Sequence, residues 1–332
     1  MILGIESTAH TFGCGVCHER TLLSNIMDTF KPPVGGIRPS DAAEHHAQVA
    51  AKVVTEALET AGTSASELDA VAYARGPGLG PCLAAGLVTA RTLAIRHGIP
   101  LVPVNHCIAH IEVGRLACDI DDPVTLYVSG GNTQVIAYEE HRYRVFGETL
   151  DIPIGNLFDQ FCRYGGLPHP GGPAVERMAR EAAEAGADLI ELPYVVKGMD
   201  LSYSGILSDI KRRLADGADM KALCMAVQEV SFAMLTEVTE RAMAHTQKQD
   251  ALLVGGVAAN KRLFEMVATM AHERGGDAYV VPREYAGDNG TMIALVGEQM
   301  YETGIKEGIE ESFTTQRFRT DEVDVTWIGD SS

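Results

Sequence analysis

The sequence predicts an α/β fold built twice over, and three observations carry that expectation. Of 332 residues, 46% are hydrophobic and 22% charged, a globular composition with enough apolar side chain for about two domain cores. Two stretches about one domain apart share a three-strand plan. Behind each, helices alternate with single strands.

The first stretch, "ILGIESTAHTFGCGVCHERTLLSNIMD", reads as a strand, a polar turn around Glu6 to His10, a returning strand, a turn at His18 to Arg20 and a third strand. The second, residues 125 to 151, repeats it with an apolar strand, the turn "SGGNT", a returning strand, the charged turn "EEHR" and a third strand. Sliding one over the other sets Ile5 to Thr8 on Val128 to Gly131, a duplication rather than a solenoid array. Helical patterns starting near Asp41, Leu83, Lys221 and Lys261 alternate with strands near Asp69, Pro100, Asp250 and Asp277. Antiparallel strands followed by βα units, twice, are the plan of the actin, Hsp70 and sugar-kinase (ASKHA) fold, two ribonuclease-H-like halves with nucleotide and metal in the cleft between them. The expected halves are residues 1–122 and 123–289, with a C-terminal helix over 290–325 packing back on the first.

Charge and cysteines narrow the function classes. Against 27 basic residues stand 45 acidic ones, a net −18, which repels a polyanion at long range and argues against unassisted nucleic-acid binding. The candidate basic patches are Lys211, Arg212 and Arg213, and Lys261 with Arg262, although short clusters also serve as solvated helix faces. Seven cysteines without dense pairing fit reduced thiols. Cys14 and Cys17 form a CxxC, but in a strand they point to opposite faces. No basic leader segment precedes the first strand, and the apolar runs are broken early, so a cytoplasmic protein without a membrane span is expected.

Five loops offer chemistry, each with a bland alternative. Ser129, Gly130 and Gly131 form a tight turn whose backbone N–H groups can face an anion, or simply connect a hairpin. Gly255 and Gly256 end an apolar strand, and Asn260 offers an amide to a ligand or caps the next helix. In "HPGGPAVERM", Pro173 suits a first helical turn, with Gly172 ahead of it and Glu176 inside that turn. A carboxylate beside bare backbone suits a ribose, or complements the helix dipole. Asp159 is either another acidic ligand or a solvent-facing helix residue. In "VNHCIAH", Asn105 is an N-cap candidate that sets His106 and His110 on one helical face, close enough to share a cation. The HExxH arrangement is absent because Cys107 stands where its glutamate would be. Oxygen donors would have to come from elsewhere, with Asp288 and Tyr127 as candidates. GxxxxGK[ST] and GxGxxG are both missing.

In order along the chain, "VNHCIAH", "YVSGGNT", "HPGGPAVE", "DLSYSGI", "LLVGGVAAN" and "DNGTMIA" closely resemble the tRNA threonylcarbamoyladenosine synthase family, in bacteria the TsaD family and in archaea and eukaryotes part of the KEOPS complex. Tyr127 and the compact length are similar to the archaeal branch. The resemblance implies the actin-like fold and transfer of a threonylcarbamoyl group from threonylcarbamoyl-AMP to the N6 amine of the adenosine beside the anticodon of ANN-decoding tRNAs. It implies one divalent metal, Fe2+ or Zn2+, on His106, His110, Tyr127 and Asp288. The adenine nucleotide would lie on Tyr127, Val128, Ser129, Gly130, Gly131, Asp159, Gly172, Glu176, Gly255, Gly256 and Asn260. Implied partners are tRNA, a small atypical kinase or ATPase and a small dimerising subunit; in some archaea the kinase is fused to the C-terminus. Alternatives are a nucleotide-dependent scaffold or switch, a small-molecule kinase with Glu6 or Asp159 as catalytic carboxylate, and a metalloprotease, which the missing glutamate disfavours.

Overall fold

The computed structural model describes residues 1–31 and 37–328. The chain divides into two compact units. The first holds Met1–Val113, Glu139–Tyr143 and Gly287–Ser332; the second holds Gly114–Tyr138 and Arg144–Ala286. The division between them falls within a helix, at Val113, instead of after residue 122.

In the first unit, β1 (Ile2–Glu6), β2 (Thr11–His18) and β3 (Thr21–Thr29) are followed by α1 (Pro39–Ala61), β4 (Ala70–Gly76), α2 (Gly80–His97), β5 (Leu101–Asn105) and the start of α3 (His106–Cys118). The sheet order is β3-β2-β1-β4-β5. β1 runs antiparallel to β2 and parallel to β4, and β4 is parallel to β5. Phe12, Cys14 and Val16 of β2 share a core with Val53 and Ala57 of α1. The alternate positions, Gly13 and Gly15, face α10 (Gly290–Glu302). That face is packed backbone to backbone: a Cβ on Gly4 would stand 2.1 Å from the Ala294 nitrogen, and one on Gly290 2.4 Å from Cys14. Cys17 lies on the α10 side, its thiol donating to Glu298 at 3.3 Å, so the CxxC pair does point to opposite faces. The β2–β3 turn uses Glu19 and Arg20 at φ 49° and 62°, left-handed backbone that costs a non-glycine residue about 1 kcal/mol or more. Both of their N–H groups donate to the buried Glu298 carboxylate at 2.9 Å.

The expected helix over 290–325 stops at Glu302. Gly304, at φ +87°, ends it in the left-handed conformation helices use to terminate. The chain beyond is a strap across its own unit. Glu307 bridges to Leu101, the Arg75 guanidinium lies 3.6 Å over the Phe313 ring, and Arg91 Nε donates to the Ser312 hydroxyl at 2.7 Å.

In the second unit, β6 (Val124–Val128), β7 (Thr133–Glu139) and β8 (Arg142–Glu148) join β11 (Ala251–Val254) and β12 (Ala278–Val280) in the order β12-β11-β6-β7-β8. β6 is antiparallel to β7 and parallel to β11. This is the first sheet's topology again, so the repeat read from sequence is a repeat of fold. Between β8 and β11 lie α4 (Ile154–Tyr164), α5 (Gly171–Glu184), the short strands β9 (Val196–Lys197) and β10 (Asp200–Leu201), α6 (Ser204–Ala215) and α7 (Met220–Thr246). α8 (Lys261–Glu273) and α9 (Arg283–Ala286) complete it. Asp151 accepts from Ile152 N, Tyr203 N, Ser204 N and the Ser202 hydroxyl. Partial burial works to raise its carboxyl pKa, but these four donors hold it below the usual carboxylate range and pin "DLSYSGI" at the start of α6. Among the described residues α7 alone is long and apolar enough to cross a membrane. It is mostly buried in this unit's core, where Phe232, Leu235 and Val238 are fully enclosed.

Candidate metal centre and nucleotide surface

The histidine pair lies in the first unit. Asn105 caps α3 as its spacing predicts, its Oδ1 accepting from Cys107 N at 2.9 Å and Ile108 N at 3.2 Å. The cap starts the helix at His106, so His106 and His110 fall one turn apart on one face, both buried. Their rings meet edge to face with centroids 4.7 Å apart. The close seating of α10 on β1 and β2 brings the loop before α10, and Asp288 with it, against them. Asn289 caps that helix through Met292 N at 2.9 Å, leaving the preceding Asp288 side chain for the histidines. Asp288 Oδ1 lies 3.3 Å from His110 Nε2 and 3.6 Å from His106 Nε2.

One nitrogen from each histidine and one oxygen from Asp288 lie within 4.8 Å of one another. Donors about 2.0–2.2 Å from a tetrahedral ion stand about 3.4 Å apart, so these three fit one cation with little adjustment. Two imidazoles and a carboxylate suit zinc or ferrous iron. Without an ion, burial lowers the His106 pKa, but the Glu6 and Asp288 carboxylates together raise it to about 9. His110 is lowered by burial and by charge on His106, against the pull of Asp288. Burial works to raise the Asp288 carboxyl, yet the His110 hydrogen bond and both imidazoles hold it well below the usual range. An ion on His106 Nε2 would have to displace the proton there. Burial pushes the Cys107 thiol up to about 12, so it supplies no thiolate at neutral pH.

Sequence reasoning weighed Glu6 only as a kinase-type carboxylate. It is fully buried at the end of β1, with Oε2 2.9 Å from His106 Nδ1 and Oε1 accepting from Thr8 N at 2.6 Å and from the Thr8 hydroxyl. Thr8 carries no signal in the sequence beyond its place in the turn aligned with "SGGN".

The remaining candidates lie in the second unit, where contacts link them along the strand ends. Tyr127 is buried near the end of β6, with Asn132 Nδ2 3.5 Å from its hydroxyl. The Ser129 hydroxyl accepts from Gly131 N at 3.3 Å and Asn132 N at 3.0 Å, so the turn after Val128 is held by its own side chain. A Cβ on Gly130, Gly131 or Gly256 would meet nothing within 4 Å. Gly255 differs, with φ +93° and a Cβ position 2.4 Å from Val128 O: only glycine fits there.

Asp159 Oδ1 accepts from Gly171 N at 2.6 Å and lies 3.3 Å from His169 Nδ1, which fixes the start of α5. That helix begins at Gly171, ahead of the expected start at Pro173, so Gly172 is already helical and Glu176 falls in the second turn instead of the first. Glu176 Oε1 accepts from Lys261 N at 3.0 Å. Asn260 is an N-cap, accepting from Arg262 N and Leu263 N while its amide donates to Gln228 Oε1. The basic clusters are largely neutralised. Asp209 pairs with Arg212 and Arg213, and Glu229 takes Arg262 through two nitrogens.

A family model described as tRNA N6-adenosine threonylcarbamoyltransferase matches residues 21–295. The chain is 50% identical over 336 residues to the tRNA N6-adenosine threonylcarbamoyltransferase of Methanopyrus kandleri, covering 98% of this chain and 96% of that one. It is 51% identical over 326 residues to the protein of the same name from Thermococcus kodakarensis, covering 98% and 99%. A probable bifunctional tRNA threonylcarbamoyladenosine biosynthesis protein of Methanothermobacter thermautotrophicus is 50% identical over 332 residues, all of this chain but 61% of that one. Among solved structures, HypF of Thermococcus kodakarensis superposes with a TM-score of 0.65 at 13% identity, over 92% of this chain and 48% of HypF. That last likeness is one of fold.

Proposed function

Since the chain belongs to the tRNA N6-adenosine threonylcarbamoyltransferase family and is a transferase acting on tRNA, we propose that His106, His110 and Asp288 hold a divalent ion, Fe2+ or Zn2+, at its active centre. The donor is threonylcarbamoyl-AMP, and the acceptor is the N6 amine of the adenosine beside the anticodon in ANN-decoding tRNAs. The observation that carries this reading is the meeting of Asp288 Oδ1 with both Nε2 atoms, from residues 178 and 182 positions apart in sequence.

In the reaction the amine attacks the threonylcarbamoyl carbonyl, the new C–N bond forms, the bond to the AMP phosphate oxygen breaks and the amine loses a proton. AMP is a good leaving group, so positioning and charge stabilisation carry most of the work. When bound, the ion supplies a positive charge that stabilises the developing negative charge on the carbonyl oxygen. His106 and His110, both buried, and the partly exposed Asp288 would form the seat for it. The Ser129–Gly131 turn, with open space beside its glycines, offers bare backbone to the nucleotide. Asp159, Glu176 and Asn260 support that surface by fixing the loops around it, and the carboxylates' further lone pairs remain for ribose hydroxyls. Gly172 and Gly256 leave its backbone bare, and Gly255 lets the loop pass close against Val128.

With a net charge of −18 and the arginines of its basic clusters paired, the chain is read as the catalytic subunit of a KEOPS-type assembly. A small kinase or ATPase and a dimerising subunit would help hold the tRNA. A cytoplasmic setting follows from the substrate and from seven cysteines that are all unpaired. The test is transfer of labelled threonine to tRNA with the adenylate supplied, partner subunits added or withheld. His110→Ala should lose metal and transfer together; transfer by metal-free protein would overturn the reading.

A further inference from the structure

We propose that Glu6 is the positioning residue of the metal centre: it holds the proton of His106 on Nδ1 and so turns the Nε2 lone pair toward the cation. The inference rests on the reading of His106, His110 and Asp288 as ligands, and deepens it. Glu6 is 0% exposed, and a buried carboxylate is tolerated only where its lone pairs meet donors. Oε1 accepts from the backbone N–H and the hydroxyl of Thr8, in the turn that follows. Oε2 has His106 Nδ1 at 2.9 Å. A carboxylate has only lone pairs to offer, so at that contact the ring nitrogen donates, and its proton sits on Nδ1.

The consequence falls on the opposite side of the ring. With Nδ1 protonated and tied, a neutral His106 presents an unprotonated Nε2, the nitrogen 3.6 Å from Asp288 Oδ1. The partner also fixes the ring plane and makes Nε2 a stronger donor, as carboxylates behind metal-bound imidazoles do. Charge points the same way: one divalent cation against the Glu6 and Asp288 carboxylates, beside two neutral imidazoles, makes a buried site with no net charge. Both Glu6 oxygens are engaged by the chain's own donors, which places it behind the ligand rather than against a substrate. Glu6 is thus a positioning residue and not the base that takes the amine proton.

Zinc titration of the full chain against a chromophoric chelator tests this, on wild type, Glu6→Gln, Thr8→Val and His106→Ala. Glu6→Gln should bind Zn2+ about 10–100-fold more weakly, with an unchanged melting temperature for the metal-free protein. Thr8→Val, which removes one hydroxyl from Oε1, should weaken binding less, about threefold, because the Thr8 backbone N–H still holds that oxygen. Wild type that binds no Zn2+ sinks the ligand reading and this proposal with it. Wild-type binding that His106→Ala loses and Glu6→Gln keeps within twofold leaves the ligands standing and overturns the role of Glu6. Where Glu6→Gln fails to fold, 15N–1H correlation spectra of Zn2+-loaded wild type decide instead. His106 should show a protonated Nδ1 and a metal-shifted Nε2; coordination through Nδ1 would refute the proposal without any variant.

Discussion

The two sheets share one topology, and the turns at the ends of their first strands have been put to opposite uses. After β1, the turn carries side-chain charge: Glu6 ends the strand, Thr8 donates to it twice, and His106 takes its other oxygen. After β6, the aligned positions are Ser129, Gly130 and Gly131, with a hydroxyl folded back on the turn and open space where side chains would stand. A buried carboxylate backs a cation site, while bare N–H groups suit an anion or a flat nucleotide. On one backbone frame, three residues at each turn set a charged end against a bare one, as the proposed cation and nucleotide sites require.

The contrast is tested most severely at the cation site. Asp288→Ala removes the carboxylate oxygen that meets both Nε2 atoms. Metal affinity should fall at least about 100-fold, read by chelator competition, and threonylcarbamoyl transfer should fall with it. The β6 side should answer differently at two neighbouring glycine loops. Gly255→Ala forces a Cβ onto left-handed backbone 2.4 Å from Val128 O. It should cost about 2–3 kcal/mol of stability in urea unfolding.

How much of this was legible in the sequence depended on the distance between cause and effect. The strands and their repeat could be read because β1 and β6 are mostly apolar and the turns between strands are polar. The cap at Asn105 and the shared face of His106 and His110 are local geometry, fixed within a few residues. Asp288 could be named only as an oxygen donor in a loop before a helix; what seats it by the histidines is the glycine contact of α10 with β1 and β2, a property of packed backbones. Glu6 and His106 are 100 residues apart, beyond any spacing rule. The start of α5 at Gly171, ahead of the expected Pro173, has a similarly distant cause, because the donor there is satisfied by Asp159 from another helix. The helix expected over 290–325 failed at Gly304, whose left-handed conformation ends α10 while the polar strap beyond it lies on its own unit.

A smaller effect separates shape from ligand contact at the β6 turn. Gly131→Val adds side chain into open space, so the fold should keep its melting temperature within about 2 °C. If the turn's backbone receives the adenylate, the KM for threonylcarbamoyl-AMP should rise about tenfold, roughly 1.4 kcal/mol of lost binding. An unchanged KM would reduce "SGGN" to a hairpin connection.

The smallest effect concerns what holds the β1 turn in place, and it is read by pH. His46 of α1 is 0% exposed, and its Nε2 lies 3.1 Å from the carbonyl of Ala9 inside that turn. Burial lowers its pKa to about 4, against the raising influence of the Ala9 hydrogen bond, whereas the unfolded chain titrates near the usual 6.5. Between those values the unfolded state binds more protons, so stability rises with pH through this window. His46 therefore contributes fully above about 6.5, and its contribution drains away as pH falls toward 4. His46→Gln keeps a donor for Ala9 and removes the titration. Its urea midpoint should be less sensitive to acid over that range than the wild type's, with the β6 turn unaffected. Equal slopes for the two proteins would mean that the β1 turn is not anchored by a neutral histidine.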